Sequence, residues 1–210
     1  MGDLNIKSTT IEKGLDLAKD FLSKLLGQSV EEMGLLFADK VKIWRLKNQI
    51  RNLEKVRAIV EKENLDLKQI NLKVLVPYLD GVSLEEDEQL QDMWANLFVN
   101  YIDKNKLLQT HVYPSILQQL STDEVKILEH FILNIEIKVK GSKTHETWKP
   151  DINETQLSNI IRLGLIEPRV VVGSKMEIGF DTYPLDKAEV YRITRFGEDF
   201  YYACKRKKDN

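Results

Sequence analysis

Apolar residues recur at three- and four-residue spacing along most of the first 120 positions, a pattern typical of successive amphipathic helices. The first such pattern runs from Ile11 to about Leu26 and stops at Gly27, since glycine readily adopts the left-handed conformation that ends a helix. The second runs without proline from about Ser29 to Asn64. At 1.5 Å per residue it predicts a helix roughly 50 Å long. Such a helix exceeds a small domain, so we expect it to bend or to be covered by a partner.

A shorter apolar stretch follows over residues 70–79 and contains Pro77. It predicts a short helix, although its central Val-Leu-Val run is also compatible with a strand. The Asp80-Gly81 pair predicts a break in the chain. Ser83 with Glu86 three residues later predicts a capping box, which would open a helix extending to about residue 101.

The periodicity changes at Ser121, which, like Thr122, can cap a new helix. Residues 135–139 (Ile-Glu-Ile-Lys-Val) alternate with period two, which predicts a strand. A second helix is predicted over residues 154–164. Two β-rich runs within residues 169–180 then predict a hairpin.

The order of these elements is that of a winged helix. Gly164 is expected to end the second helix in a left-handed cap, and the two apolar residues after it would lead into the first wing strand. One more strand and a last helix beginning at Thr194 complete the pattern. The expected fold class is therefore mainly α, with a helical body over residues 1–120 that contains the long helix, and a winged-helix-like α+β domain over residues 121–210.

The predicted recognition helix of this domain carries little positive charge. Its polar side chains include Gln156, Asn159 and one base, Arg162, while Arg169 and Lys175 could lie on the wing. A DNA-reading helix directs basic and amide groups into the major groove, and phosphate contacts dominate DNA affinity. The pattern therefore favours a protein-contacting or structural winged helix, with nucleic-acid binding through these five residues as the alternative.

Composition indicates a folded globular protein, with 42% hydrophobic and 30% charged residues among 210. The single cysteine, Cys204, excludes an internal disulfide, and the histidines His111, His130 and His145 lack the spacing of metal ligands. We expect no catalytic constellation, no metal site and no cofactor. The N-terminus has no signal-like segment and no apolar run approaches ~18 residues, so a cytoplasmic location is expected.

The net charge of −2 conceals strong local segregation. Residues 40–57 hold seven bases and one acid, Glu54, whereas residues 80–92 hold six acids and no base. The basic stretch could be a face for nucleic acid or an anionic membrane. Both stretches could instead be solvated helix faces, or they could pair with each other within one chain or across a dimer.

Four stretches of the chain resemble the abortive-infection alpha family of bacterial proteins, most specifically the run EEDEQLQDMWANL at residues 85–97. The others are residues 25–50, 72–81 and 112–121, and the tail after residue 133 fits more loosely. The resemblance implies a role in defence against phage. Because the family is defined by that association and not by a reaction, no catalytic residue can be carried over.

The positions that match the family, together with the neighbouring base Arg51, are candidates for an interaction surface or for a polar network between the long helix and the 84–101 helix. They are Asp39, Trp44, Arg45, Asn48, Arg51, Glu86, Asp87, Asp92, Trp94 and Asn96. Arg45 or Lys47 opposite Asp87 or Asp92 would be one such contact. Trp44 and Trp94 each lie on an apolar stripe, which favours core packing.

Three functional hypotheses follow. The first is a non-enzymatic defence protein that binds a protein of the host or the phage and self-associates through its long helix. The second is a winged-helix regulator that binds nucleic acid. The third is an effector that acts on a membrane when activated, through the amphipathic region of residues 11–37.

Overall fold

The computed structural model describes residues 14, 16–17, 20–25, 43–108, 110–139, 153–169 and 190–205. The chain divides into two compact units, one formed by Met1–Gln119 with Ala203–Asn210 and the other by Leu120–Tyr202. Most of the described residues are helical, and the one sheet among them has two strands. The prediction of a mainly α protein is confirmed.

Within its described residues, the first unit contains four helices, preceded by helical residues at 20–25. They are α1 (Ile43–Lys62), α2 (Leu72–Leu84), α3 (Glu88–Ile102) and α4 (Tyr113–Leu117). Helix α1 is the part of the predicted long helix that lies within the described residues, and the chain leaves it through Asn64, whose φ is +47°. Both α2 and α3 pack against α1.

Two predictions around α2 are wrong. The chain does not break at Asp80-Gly81, because α2 continues to Leu84 and includes Pro77 in its interior. A glycine suits this position because the nearest indole atoms of Trp94 would lie only 2.5 Å from a Cβ at Gly81. The strand alternative for this stretch is therefore also wrong.

The capping box predicted at Ser83 and Glu86 is also wrong. Ser83 lies inside α2, and Asp87 caps α3 by accepting a hydrogen bond from the backbone N–H of Leu90 at 3.0 Å. A box of this type occurs instead at Ser121, whose N–H and hydroxyl both donate to the Glu124 carboxylate. Ser83 and Ser121 both have a Glu three residues later, but the reciprocal bonds of a capping box form only at Ser121, whose hydroxyl also accepts from the Glu124 N–H.

An aromatic cluster holds α2 against α3. Trp94 is fully buried, as its place on an apolar stripe predicts. The rings of Tyr78 and Trp94 meet edge to face with centroids 5.9 Å apart, and those of Tyr78 and Phe98 stack at 4.1 Å. These rings place the polar side chains of α1 beside the middle of α2 and the start of α3.

The second unit contains α5 (Thr122–Val139), α6 (Glu154–Arg162), β1 (Ile166–Arg169), β2 (Val190–Ile193) and the start of α7 (Arg195–Cys204). The strand predicted over residues 135–139 is wrong, since α5 runs through it. The apolar residues there also continue the helical spacing set by Leu128 and Ile132, and no breaker residue intervenes.

The two strands of this unit pair antiparallel, with Ile166 opposite Ile193. Gly164 has a φ of +73°, so the predicted left-handed end of α6 is confirmed. The Thr194 hydroxyl accepts from the Gly197 N–H at 2.9 Å, which confirms Thr194 as the start of the last helix. Apart from Arg169, at the end of β1, the predicted hairpin over residues 169–180 lies outside the described residues.

Candidate functional site

Two of the candidate polar residues fasten α1 to α2. The Arg45 guanidinium donates from Nε to the Ser83 hydroxyl at 3.0 Å and contacts the Asp80 carboxylate at 2.9 Å. Asn48 donates to the Ser83 carbonyl at 3.3 Å. The carboxylate that pairs with Arg45 is therefore Asp80 of α2, and not Asp87 or Asp92 at the start of α3 as predicted.

A buried amide network, which sequence reasoning missed, joins α1 to both neighbouring helices. Asn52 donates to the Gln91 carbonyl at 2.7 Å and to its side-chain oxygen at 2.5 Å. The Tyr78 hydroxyl donates to the other end of Asn52 at 2.6 Å, and burial holds the pKa of Tyr78 well above its usual value. Asn52 lies at helical spacing from Arg45 and Asn48, which is the one signal that could have found it.

Ion pairs continue the contact between α1 and α3 at the protein surface. The Lys55 ammonium lies 2.5 Å from Asp92 and also pairs with Glu88, and Arg51 pairs with Glu88. The acidic and basic stretches therefore meet within one chain. The specific partners expected are wrong, because Asp92 binds Lys55 and Asp87 serves as a helix cap, whereas Lys47 is exposed.

The acidic turn before α3 is stabilised by hydrogen bonds of Glu85. Glu85 accepts from the Asp87 N–H at 3.0 Å, and its own carbonyl accepts from the Gln91 amide at 2.8 Å. Partial burial raises the pKa of the Glu85 carboxyl above its ordinary value. Glu86 points to solvent. In the described part of the chain, no group of three or more His, Cys, Asp or Glu residues could hold a metal ion.

A surface groove lies between α1 and α3, beside these ion pairs. It is lined by Lys55, Ala58, Ile59, Asp92, Ala95 and Asn96. Two of the candidate residues, Asp92 and Asn96, are therefore brought together on its α3 wall. Small alanine side chains contribute from both helices, so the groove leaves space close to the helix backbones.

Comparison with known proteins gives one match. A family model described as abortive infection alpha matches residues 39–204. The chain belongs to the abortive infection alpha family. No curated protein and no solved structure matches it.

The region that matches the abortive infection alpha family runs from just before α1 to the end of α7. It therefore includes the amide network, the ion pairs and the groove. Asp39 lies outside the described residues, and for Trp44 only the helical backbone is described.

Of the residues predicted to contact nucleic acid in this family member, some make contacts within the chain and others lie outside the described residues. Asn159 donates to the buried Glu124 carboxylate at 2.7 Å and accepts from Arg162 at 2.7 Å. Gln156 is half-buried on α6. The side chain of Arg169 and all of Lys175 lie outside the described residues. Asn159 therefore links α6 to α5.

Part of the segment behind the membrane hypothesis is packed into the first unit. Leu22 and Leu25 are buried, and the Leu25 carbonyl accepts from the Ile70 N–H at 3.2 Å. Residues 26–42 lie outside the described part. Among the described helices, none has the length and apolar character needed to cross a bilayer.

Proposed function

We propose that this protein takes part in abortive-infection defence against phage by binding a protein of the host or the phage, without catalysing a reaction, and that it does so in the cytoplasm. Family membership supports the defence role. The single observation that supports the binding role is the groove between α1 and α3, because two residues of the family's most specific stretch, Asp92 and Asn96, line it.

The groove has the properties of a site for a polypeptide segment. Lys55 is held in place by Glu88 and Asp92, so the charged rim is ordered before a partner arrives. Asn96 is partly exposed, and its amide offers one donor group and one acceptor to a partner's main chain. Ala58 is exposed, so a bound segment can approach α1 closely.

A substitution that fills the groove tests this proposal. Ala58→Arg places a long cationic side chain in the groove without disturbing the buried core, and Ala58→Ser is its matched control. Both variants and the natural protein would be produced with an affinity tag in bacteria, and cultures would be infected at low and high ratios of phage to cells. Proteins captured from infected and uninfected cells would be identified by mass spectrometry.

The proposal predicts that Ala58→Arg abolishes protection of the culture at low phage ratio, together with capture of one defined partner. Ala58→Ser should retain both. Circular dichroism should be the same for all three proteins. Full protection by Ala58→Arg would exclude the groove as the site, and protection without any groove-dependent capture would contradict action by protein binding.

For the second unit we propose a winged-helix-like domain with a structural or protein-contacting role. The order α5, α6, β1, β2 supports this, as do the left-handed Gly164 and the antiparallel pairing of the strands. The engagement of Asn159 with Glu124 favours this role over DNA reading. Deletion of residues 121–202 would therefore remove no salt-dependent DNA binding, which a gel-shift titration would check.

A further inference from the structure

Helix α2 is apolar on both of its sides. Its inner face packs into the first unit through Leu75, Tyr78 and Val82, which are fully or almost fully buried. Its outer face also carries apolar side chains, because Leu72, Val76 and Leu84 are 44%, 47% and 52% exposed. Exposed apolar side chains that cluster on one face of a helix often mark a contact with a partner. The outer face of α2 therefore has the character of an interface.

The outer residues follow the spacing of a helix-pairing seam. Lys73, Val76, Pro77, Asp80 and Leu84 fall at positions i, i+3, i+4, i+7 and i+11. Residues at this spacing lie along one stripe of a helix. Leu72 flanks the stripe. The seam thus has an apolar centre, a cation toward its start and an anion toward its end.

When two copies of this helix lie antiparallel, the cation of each copy faces the anion of the other. In an antiparallel pair of α2 helices with a two-fold axis between positions 76 and 77, Lys73 of each copy lies opposite Asp80 of the other. Lys73 is exposed and makes no ion pair within the described residues. Asp80 contacts Arg45 and Gln118 of its own chain, yet its side chain remains 58% exposed.

We propose that two copies of this chain associate through an antiparallel pairing of their α2 helices. Val76 packs on its symmetry mate at the two-fold axis, and two ion pairs between Lys73 and Asp80 flank it. The sequence suggested self-association through the long helix, which stays a prediction; in the described part of that helix, Arg51 and Lys55 already pair with acids of α3. One helix pair buries less than the ~800 Å² per partner of standard interfaces, so the dimer should be concentration-dependent.

Sedimentation equilibrium of the full chain over a wide concentration range tests the dimer. The natural protein should approach twice its monomer mass as concentration rises. Val76→Glu and Lys73→Glu should each remain monomeric with unchanged circular dichroism, since both side chains are already exposed. Leu107→Glu, at a loop residue that is 89% exposed, is the matched control and should dimerise normally.

Disulfide trapping tests the antiparallel register. The one native cysteine, Cys204, is buried and contributes little background. Mild oxidation should trap Val76→Cys as a dimer, because the two positions meet at the axis. It should not trap Leu84→Cys, whose copies would be roughly 20 Å apart along the axis.

Three results would overturn the proposal: a natural protein that stays monomeric at every concentration, dimers that persist in Val76→Glu, or equal trapping of Leu84→Cys and Val76→Cys. The proposed dimer does not depend on the proposed defence role. Neither readout involves phage or a groove partner, so its failure would leave the proposed binding function standing.

Discussion

Truncation of Asn52 to alanine is the most direct test of the amide network that joins α1 to α2 and α3. The side chain makes three hydrogen bonds, two to Gln91 and one from the Tyr78 hydroxyl. All three residues are buried. Asn52→Ala therefore removes one end of each bond and leaves the other end without its partner, away from water.

The expected cost follows from the number of groups left unpaired. A buried polar group that loses its partner costs about 1–3 kcal/mol. Asn52→Ala leaves the Tyr78 hydroxyl on one side and the side-chain oxygen of Gln91 on the other without a partner, so we expect a loss of about 3 kcal/mol in the free energy of unfolding. Tyr78→Phe affects only Asn52 and should cost about 1 kcal/mol.

Urea denaturation followed by far-ultraviolet circular dichroism measures both losses. In the Asn52→Ala background, Tyr78→Phe removes a hydroxyl that has already lost its partner, so the double variant should be about 1 kcal/mol more stable than Asn52→Ala alone. Arg57→Ala is the control on the same helix. It breaks only the exposed pair with Glu61 and should cost less than about 0.5 kcal/mol.

Two outcomes would refute this reasoning. One is a loss for Asn52→Ala no larger than that of Arg57→Ala, which would mean that water or a rearranged side chain replaces the bonds at no cost. The other is strict additivity of Asn52→Ala and Tyr78→Phe, which would mean that the two groups are not coupled.

Three further substitutions probe separate features of the fold. Gly81→Ala would put a Cβ 2.5 Å from the Trp94 indole and should lower stability by about 1–3 kcal/mol, seen as a lower urea midpoint with altered indole fluorescence. Glu85→Gln should stabilise the protein near neutral pH, because burial raises the pKa of this carboxyl and so disfavours its charged form; thermal melts should show the gain disappearing as pH falls below the ordinary value of 4.5. Glu124→Ala removes the acceptor for Asn159 and for Ser121 and should cost about 1–3 kcal/mol, with faster hydrogen exchange along α6. An unchanged exchange rate in that helix would show that Glu124 does not hold it in place.

The hydrophobic periodicity predicted most helices because their apolar residues recur at helical spacing. It failed where tertiary packing overrode a local signal. Gly81 looked like a break, but the glycine lies inside α2 where the Trp94 ring leaves no space for a side chain. Residues 135–139 satisfied both a strand period and a helix period, and the local pattern alone could not choose between them.

The candidate site was predictable where it carried charge or matched the family, and not where it consisted of neutral amides. Arg45, Asn48 and Asp92 do contribute to the contacts between helices. Asn52 and Gln91 have no charge to stand out in the sequence, and only burial reveals how closely they pair. The partner of each charge also depends on how the helices are aligned, which a single sequence does not define.

The exposed ion pairs between α1 and α3 matter because they fix how these two helices are aligned. Each pair of Lys55 or Arg51 with Glu88 or Asp92 is solvent-accessible and contributes only about 0–1 kcal/mol to stability. Lys55 nevertheless bridges two acids one helical turn apart on α3, which resists sliding of α1 along its neighbour. Because the groove is formed by these same two helices, its shape depends on that alignment. Two bases of the stretch that resembled a nucleic-acid face, Arg51 and Lys55, therefore have a structural role within the chain, beside the groove.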